Sequence, residues 1–292
     1  MKRAAVVVLG VIAIVCLLAQ YRVRSEGLGA KLSSLVVGGF ETRGYWPWFV
    51  SLEISRPDGI HVCGGVLIRK DVVLTAAHCI QQVKSIICRI GNDNVSSNEF
   101  VRANSWEVHP NYIPFNNTTQ TRVTDDIALV FLGQEINKTP IRMSNYYPTK
   151  TVRGDTIRSP IYTLGYGRTG FGNTYPLSDT LQTFLTNQWV IKTDGKGAYI
   201  ATTLNKAHAG SGDSGGPCIF FEGNTTDYKS ARLVGIVSGG NVSAGKGETK
   251  FAAVPYHYKW IMGRLATRPL YCRWSPSNSA RVPGYRYCNY EK

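Results

Sequence analysis

The chain has 292 residues, 43% of them hydrophobic and 18% charged, with 16 tyrosines and a formal net charge of +14. That composition excludes a disordered or low-complexity polypeptide, and the length admits one large domain or two modest ones. No internal repeat, metal-ligand cluster or nucleic-acid motif stands out, so no metal, cofactor or nucleic-acid partner is expected.

Lys2 and Arg3, followed by the apolar run Ala4 to Ala19, read as a secretory signal peptide over residues 1–19. A membrane span would need about 20 apolar residues. Residues 20–35, with Arg22, Arg24 and Lys31, read as a propeptide. The expected destination is extracellular, or a secretory granule. N-x-Ser/Thr sequons at Asn94, Asn116, Asn117, Asn137, Asn224 and Asn241 suit a glycosylated secreted protein. Removing residues 1–35 leaves +10 on the remainder. Such a charge suits acidic glycans or anionic surfaces, or is simply a solvated basic face. A monomer is expected.

From Trp46 onward, short runs rich in Val, Ile, Phe and Thr are separated by Gly, Pro and Asn. Strands are predicted at Trp48 to Ile54, Val66 to Ile68, Ile86 to Ile90 and Ile127 to Leu132. After a connector near residues 134–150 come Ile161 to Gly165, Thr180 to Val190, Cys218 to Phe221, Leu233 to Ser238 and Lys250 to Val254. Helical spacing appears at Tyr256 to Ala266, with Trp260, Ile261 and Leu265 facing a core. By pattern alone the chain is mostly β, in two halves.

Three segments carry chemistry: Thr75-Ala76-Ala77-His78-Cys79, Thr124-Asp125-Asp126-Ile127-Ala128-Leu129, and Gly212-Asp213-Ser214-Gly215-Gly216-Pro217. A serine hydroxyl needs an adjacent base to become a nucleophile, and flanking glycines let backbone N–H groups approach an oxyanion. His, Asp, Ser is one of the known chain orders of a hydrolytic triad. With Val36-Val37-Gly38-Gly39, Cys63-Gly64-Gly65, His109-Pro110-Asn111-Tyr112, Gly165-Tyr166-Gly167 and Tyr258-Lys259-Trp260-Ile261, the chain resembles the chymotrypsin-like (trypsin-fold) serine proteases.

The resemblance implies an all-β fold over residues 36–267. Its two antiparallel six-stranded barrels would enclose the cleft, followed by a C-terminal helix. It implies Ser214 as nucleophile, His78 as base and Asp126 as the orienting carboxylate, with Asp125 the competing acid. The oxyanion hole would be the N–H groups of Gly212 and Ser214. Precursor activation would free Val36 to pair with Asp213, with an activating protease cleaving Leu35–Val36 after an apolar residue. Cys63 and Cys79 match the family's bridge beside the histidine. Cys272 and Cys288 could pair within the basic, aromatic extension 268–292. Cys88 and Cys218 read as buried free thiols, or as a mutual bridge. Gly210 replaces a cysteine usual beside the specificity pocket.

Substrate would contact His208, Ser238, Gly239, Gly240 and Thr249. His208 replaces the floor aspartate of trypsin-like members, so cleavage after Lys or Arg is not expected. A shortened apolar slot for small aliphatic residues, a polar slot for Glu or Asp helped by Lys246 or Lys250, and a purely structural His208 all remain open. The function implied is a secreted serine endopeptidase made as a zymogen and acting on proteins or peptides. The alternative is a non-catalytic basic protein binding glycan or lipid on the same scaffold.

Overall fold

Runs that alternate between core and surface build the first half of the molecule. The computed structural model describes residues 39–42, 45–91, 99–114, 124–152, 155–168, 176–193, 198–203, 207–223, 227–243 and 246–267. Seven strands come first: β1 (Phe40–Glu41), β2 (Phe49–Arg56), β3 (Gly59–Arg69), β4 (Val72–Thr75), β5 (Ser85–Ile90), β6 (Glu99–Val108) and β7 (Ala128–Leu132). In β5, Ile86, Cys88 and Ile90 point inward at the two-residue period of a half-buried strand. β4 and β7 are buried along their whole length and line the middle of the core. Strands β2-β3-β4-β7-β6-β5 close into a six-stranded barrel, which leaves no open edge.

The second half contains β8 (Arg142–Met143), β9 (Thr149–Val152), β10 (Asp155–Arg158), β11 (Ile161–Gly165), β12 (Gln182–Thr186), β13 (Trp189–Thr193), β14 (Ala198–Thr202), β15 (Pro217–Phe221), β16 (Ala231–Ser243) and β17 (Lys246–Ala253). Nine strands form its curled sheet, in the order β1-β12-β11-β15-β16-β17-β14-β13, with β8 pairing alongside β16. The count exceeds six partly because the two-residue strands β1 and β8 join it. β9 and β10 form a separate hairpin. The connector runs back along the first barrel, where Ile141 N donates to Leu67 O at 2.9 Å, before β8 pairs in parallel with β16. Helix α1 (Val254–Thr267) closes the chain's described part and buries Val254, His257 and Ile261, while Trp260 and Leu265 pack partly buried against the core.

Two apolar clusters result. The larger fills the first barrel and continues through Leu164, Tyr166, Ile219, Leu233 and Ile236 into the junction. The smaller, centred on Phe184, Trp189, Phe220 and Phe251, lies in the second sheet. At the junction Phe49 and Tyr166 meet edge to face at 5.4 Å, and Gly64 N donates to Ser214 O at 2.6 Å. Among the described residues no helix is long and apolar enough to cross a membrane. The signal peptide, the propeptide and the extension 268–292 lie outside the described residues.

Candidate active site

β4 ends at Thr75 and runs into a 3₁₀ turn, Ala77–Ile80, that carries His78. Cys79 in this turn is bonded to Cys63 on β3. Arg56 adds a second tie, donating to the carbonyls of His78 at 3.1 Å and Cys79 at 2.7 Å. The turn is therefore held before its imidazole does anything.

Asp126 lies just before β7 and is buried. Its Oδ2 accepts from His78 Nδ1 at 2.8 Å, and its Oδ1 accepts from the His78 backbone N–H at 2.8 Å. Ser238 Oγ also donates to Oδ2, at 2.5 Å. Donating Nδ1–H to a carboxylate leaves Nε2 as the lone-pair nitrogen of a neutral ring, the form a general base requires. The His78 side chain keeps 32% of its surface exposed, whereas Asp126 keeps 2%. Asp126, not Asp125, is the carboxylate at His78. Asp125 points elsewhere and meets His257 Nε2 at 3.0 Å.

Ser238 reaches Asp126 because β16 is irregular there. The register between β16 and β17 shifts between Val237 and Gly239. Such a bulge redirects one side chain without ending the pairing. Past it, Gly239 and Gly240 are exposed and pair with Lys250 and Thr249 of β17. On the opposite edge of β16, strand pairing with β15 ends at Ile236. An extended chain could add itself to that edge.

The Ser214 loop is shaped by two left-handed glycines, Gly212 at φ +99° and Gly215 at φ +79°. A side chain at either would be strained. Gly215 N donates to Val237 O at 2.7 Å and Val237 N to Gly216 O at 2.9 Å, locking the loop to β16. Gly215 also packs beside Thr75 and Ala76, which lead into the His78 turn. Among the described residues no hydrogen bond joins Ser214 Oγ to His78; such contacts commonly tighten only when substrate binds. The N–H groups of Gly212 and Ser214 likewise donate to no protein acceptor among the described residues.

Asp213 is 1% exposed, and its oxygens accept from Gly167 N at 2.7 Å and Gly210 N at 2.8 Å. Burial pushes its carboxyl up to about 6, against the two N–H groups, which pull it down. Val36, its expected partner, lies outside the described residues.

His208 is buried, and its Nδ1–H donates to Ala209 O at 2.9 Å. A Cβ at Gly247 would fall 2.1 Å from the His208 ring, so that glycine is what gives the ring its space. Thr249 is wholly buried: its Oγ1 accepts from Ala209 N at 2.9 Å and its N–H donates to Thr202 Oγ1 at 2.9 Å. Lys250 Nζ lies 3.6 Å from Glu248, which also faces Lys192 at 3.4 Å.

Cys88 and Cys218 are buried free thiols, one in each apolar cluster; burial pushes Cys88 up to about 12 and raises Cys218 further. Neither is a thiolate nucleophile in that environment. Asn137 and Asn241 are exposed. Asn94, Asn116, Asn117, Asn224, Cys272 and Cys288 lie outside the described residues.

A six-stranded barrel, a curled second sheet, a C-terminal helix and an aspartate–histidine pair beside a glycine-bounded serine define a serine-protease scaffold. Residues 36–261 match the trypsin family, described as Trypsin, and the chain belongs to it. It is similar to chymotrypsin-like elastase family member 1 of Rattus norvegicus, 30% identical over 81% of this chain and 91% of that protein. The same elastase of Macaca fascicularis is 29% identical over 81% and 92%, and chymotrypsin-C of Bos taurus 28% over 80% and 90%. The chain is thus a serine endopeptidase, a hydrolase whose substrates are proteins or peptides.

Proposed function

We propose that Ser214 attacks the scissile carbonyl, that His78 takes the Ser214 proton on Nε2 and returns it to the leaving amine, and that Asp126 holds the ring in the Nδ1–H tautomer and stabilises its cationic form. An acyl-enzyme on Ser214 follows, and water releases it by the same route in reverse. The observation that carries this reading is the doubly anchored Asp126–His78 pair, with donors on the ring and the backbone N–H at 2.8 Å each. The unspent N–H groups of Gly212 and Ser214 suit the developing oxyanion.

The P1 residue we propose is small and aliphatic. Thr249, placed on the pocket wall by the family resemblance, adds bulk there with its Oγ1 accepting from Ala209 N, and His208 turns its Nδ1–H toward Ala209 O. Lys250 is already engaged by Glu248, which argues against an acidic P1. Elastase in the relatives' names agrees with a small residue.

The enzyme is made as a secreted precursor. Cleavage of Leu35–Val36 by a protease that accepts an apolar residue releases the Val36 ammonium to neutralise Asp213, whose buried carboxyl otherwise favours its protonated form. The monomer acts alone, with its basic charge available to acidic glycans. Labelling by a serine-reactive phosphonate, before and after cleavage at Leu35–Val36, tests this directly. Label on Ser214 of the cleaved form, with peptide-library cleavage after Ala or Val, is the expected result. A cleaved, folded protein that takes no label would overturn it.

A further inference from the structure

Asp125 is one of two non-glycine residues with a left-handed backbone among the described residues, at φ +47°. Aspartate visits that conformation more readily than most side chains, but it remains uncommon, and a partner that fixes the side chain favours it. It sits immediately before Asp126, and Ile127 N donates to Asp125 O at 2.8 Å, closing a three-residue turn around Asp126. The direction in which Asp126 leaves the chain therefore depends on the conformation at Asp125.

Helix α1 supplies what holds it. His257 Nε2 lies 3.0 Å from Asp125 Oδ1, and its Nδ1 lies 2.8 Å from Ala253 O. A carbonyl only accepts, so Nδ1–H donates to Ala253 O, and Nε2 faces the Asp125 carboxyl. The ring is thus held at both nitrogens, with both side chains at 5% exposure or less. Helix α1 is itself fastened to the first barrel, where Arg264 donates to Glu107 of β6 at 2.8 Å and Arg69 of β3 to Leu265 O at 3.2 Å.

Among the described residues the surrounding groups give the pair no competing partner. His109 packs edge to face on His257 at 5.3 Å and on Trp260 at 4.7 Å. Its Nδ1 accepts from Asn111 N at 3.2 Å, and burial together with the neighbouring His257 keeps that ring below its ordinary value, hence neutral. Tyr256 lies 4.9 Å from His257 on the helix side, and Asp126 is committed to His78 and Ser238. His109, Asp125 and His257 stand close enough to share an ion. However, neutral His109 spends its one lone pair on Asn111 N, which leaves the cluster fewer than three ligand atoms, so it does not fit a metal.

We infer that Asp125 and His257 are positioning residues for peptide hydrolysis: through this buried hydrogen-bonded pair, helix α1 holds the left-handed turn that aims Asp126 at His78. The inference rests on the proposed role of Asp126. A small loss of aim at the reacting groups lowers turnover more than it lowers substrate binding.

The test uses the cleaved enzyme, with kcat expressed per phosphonate-titrated site. Asp125→Val, which resists a positive φ, and His257→Leu should each lower kcat on the order of 10- to 100-fold, with KM held within about twofold. Asp125→Asn tolerates the left-handed region and keeps a hydrogen-bonding group for Nε2, so it should stay within about threefold of wild type. Wild-type kcat per site in Asp125→Val or His257→Leu would overturn the inference, as would an Asp125→Asn as slow as Asp125→Val. Should neither damaging variant fold, ¹⁵N shifts of histidine-labelled wild-type protein decide. A proton fixed on His257 Nδ1 without tautomer exchange supports the pair, and free exchange between the two tautomers overturns it. A wild-type enzyme that takes no phosphonate would instead overturn the proposed mechanism beneath it.

Discussion

Asp125 and Asp126 are neighbours in the chain and each holds a histidine, yet the two pairs differ in almost every physical respect. Asp126 orients an imidazole that remains one-third exposed, and among the described residues its second nitrogen meets only the Cys79 sulfur, at 3.8 Å. Asp125 holds an imidazole that is nearly all buried and has both nitrogens engaged. On the proposed mechanism the first pair passes a proton, whereas the second only holds its turn. Exposure of the histidine side chain, 32% against 2%, and not the carboxylate–imidazole contact itself, distinguishes the two pairs.

The harshest way to break that comparison is to remove the proposed nucleophile. Ser214→Ala should cost about a millionfold in kcat for peptide hydrolysis, while both aspartate–histidine pairs and the melting temperature survive. Next comes Asp126→Asn, which should cost about 10⁴-fold by favouring the wrong His78 tautomer. The same change at Asp125 should leave turnover within a few-fold, and steady-state kinetics of the two variants side by side checks the asymmetry.

Asp213 sharpens the contrast, because among the described residues its buried carboxyl is held by N–H groups alone. Its carboxyl is raised from 3.8 to about 6, so folding favours the protonated form. Its contribution to precursor stability is greatest below pH 3.8 and falls as pH rises to about 6. The fall amounts to roughly 3 kcal/mol. Urea melts of the precursor between pH 4 and 6 should show this slope, Asp213→Asn should remove it, and cleavage at Leu35–Val36 should reverse it. The smallest effect is expected at Thr249→Gly, which touches neither pair. It should move P1 preference toward larger apolar residues by on the order of 10-fold in kcat/KM, read from a peptide library, with little change on the best small substrate.

Much of this was legible in the residues. The strand β11 was expected at Ile161 to Gly165 and lies there, and the helix expected at Tyr256 to Ala266 extends only slightly at each end, to Val254 and Thr267. Both are strongly patterned. By contrast β6, with Glu99, Arg102, Asn104, Ser105 and Glu107 among its residues, gave no apolar run to find. Thr180 to Val190 read as one strand but divides into β12 and β13, because two polar residues, Asn187 and Gln188, are too brief a signal to mark a break inside a run of strand-forming residues.

Short-range chemistry, then, could be read from the chain: the glycine-bounded serine, the histidine beside a cysteine, the aspartates heading a β-strand and the two-half β pattern are all local signals. Folding had to decide which aspartate meets which histidine, because His78 and Asp126 are 48 residues apart and Asp125 and His257 are 132. It also decided that Ser238 reaches Asp126 through a bulge and that Thr249 closes on Ala209. Hydrogen bonds select partners by distance and angle within a few tenths of an ångström. No one-dimensional periodicity carries that information.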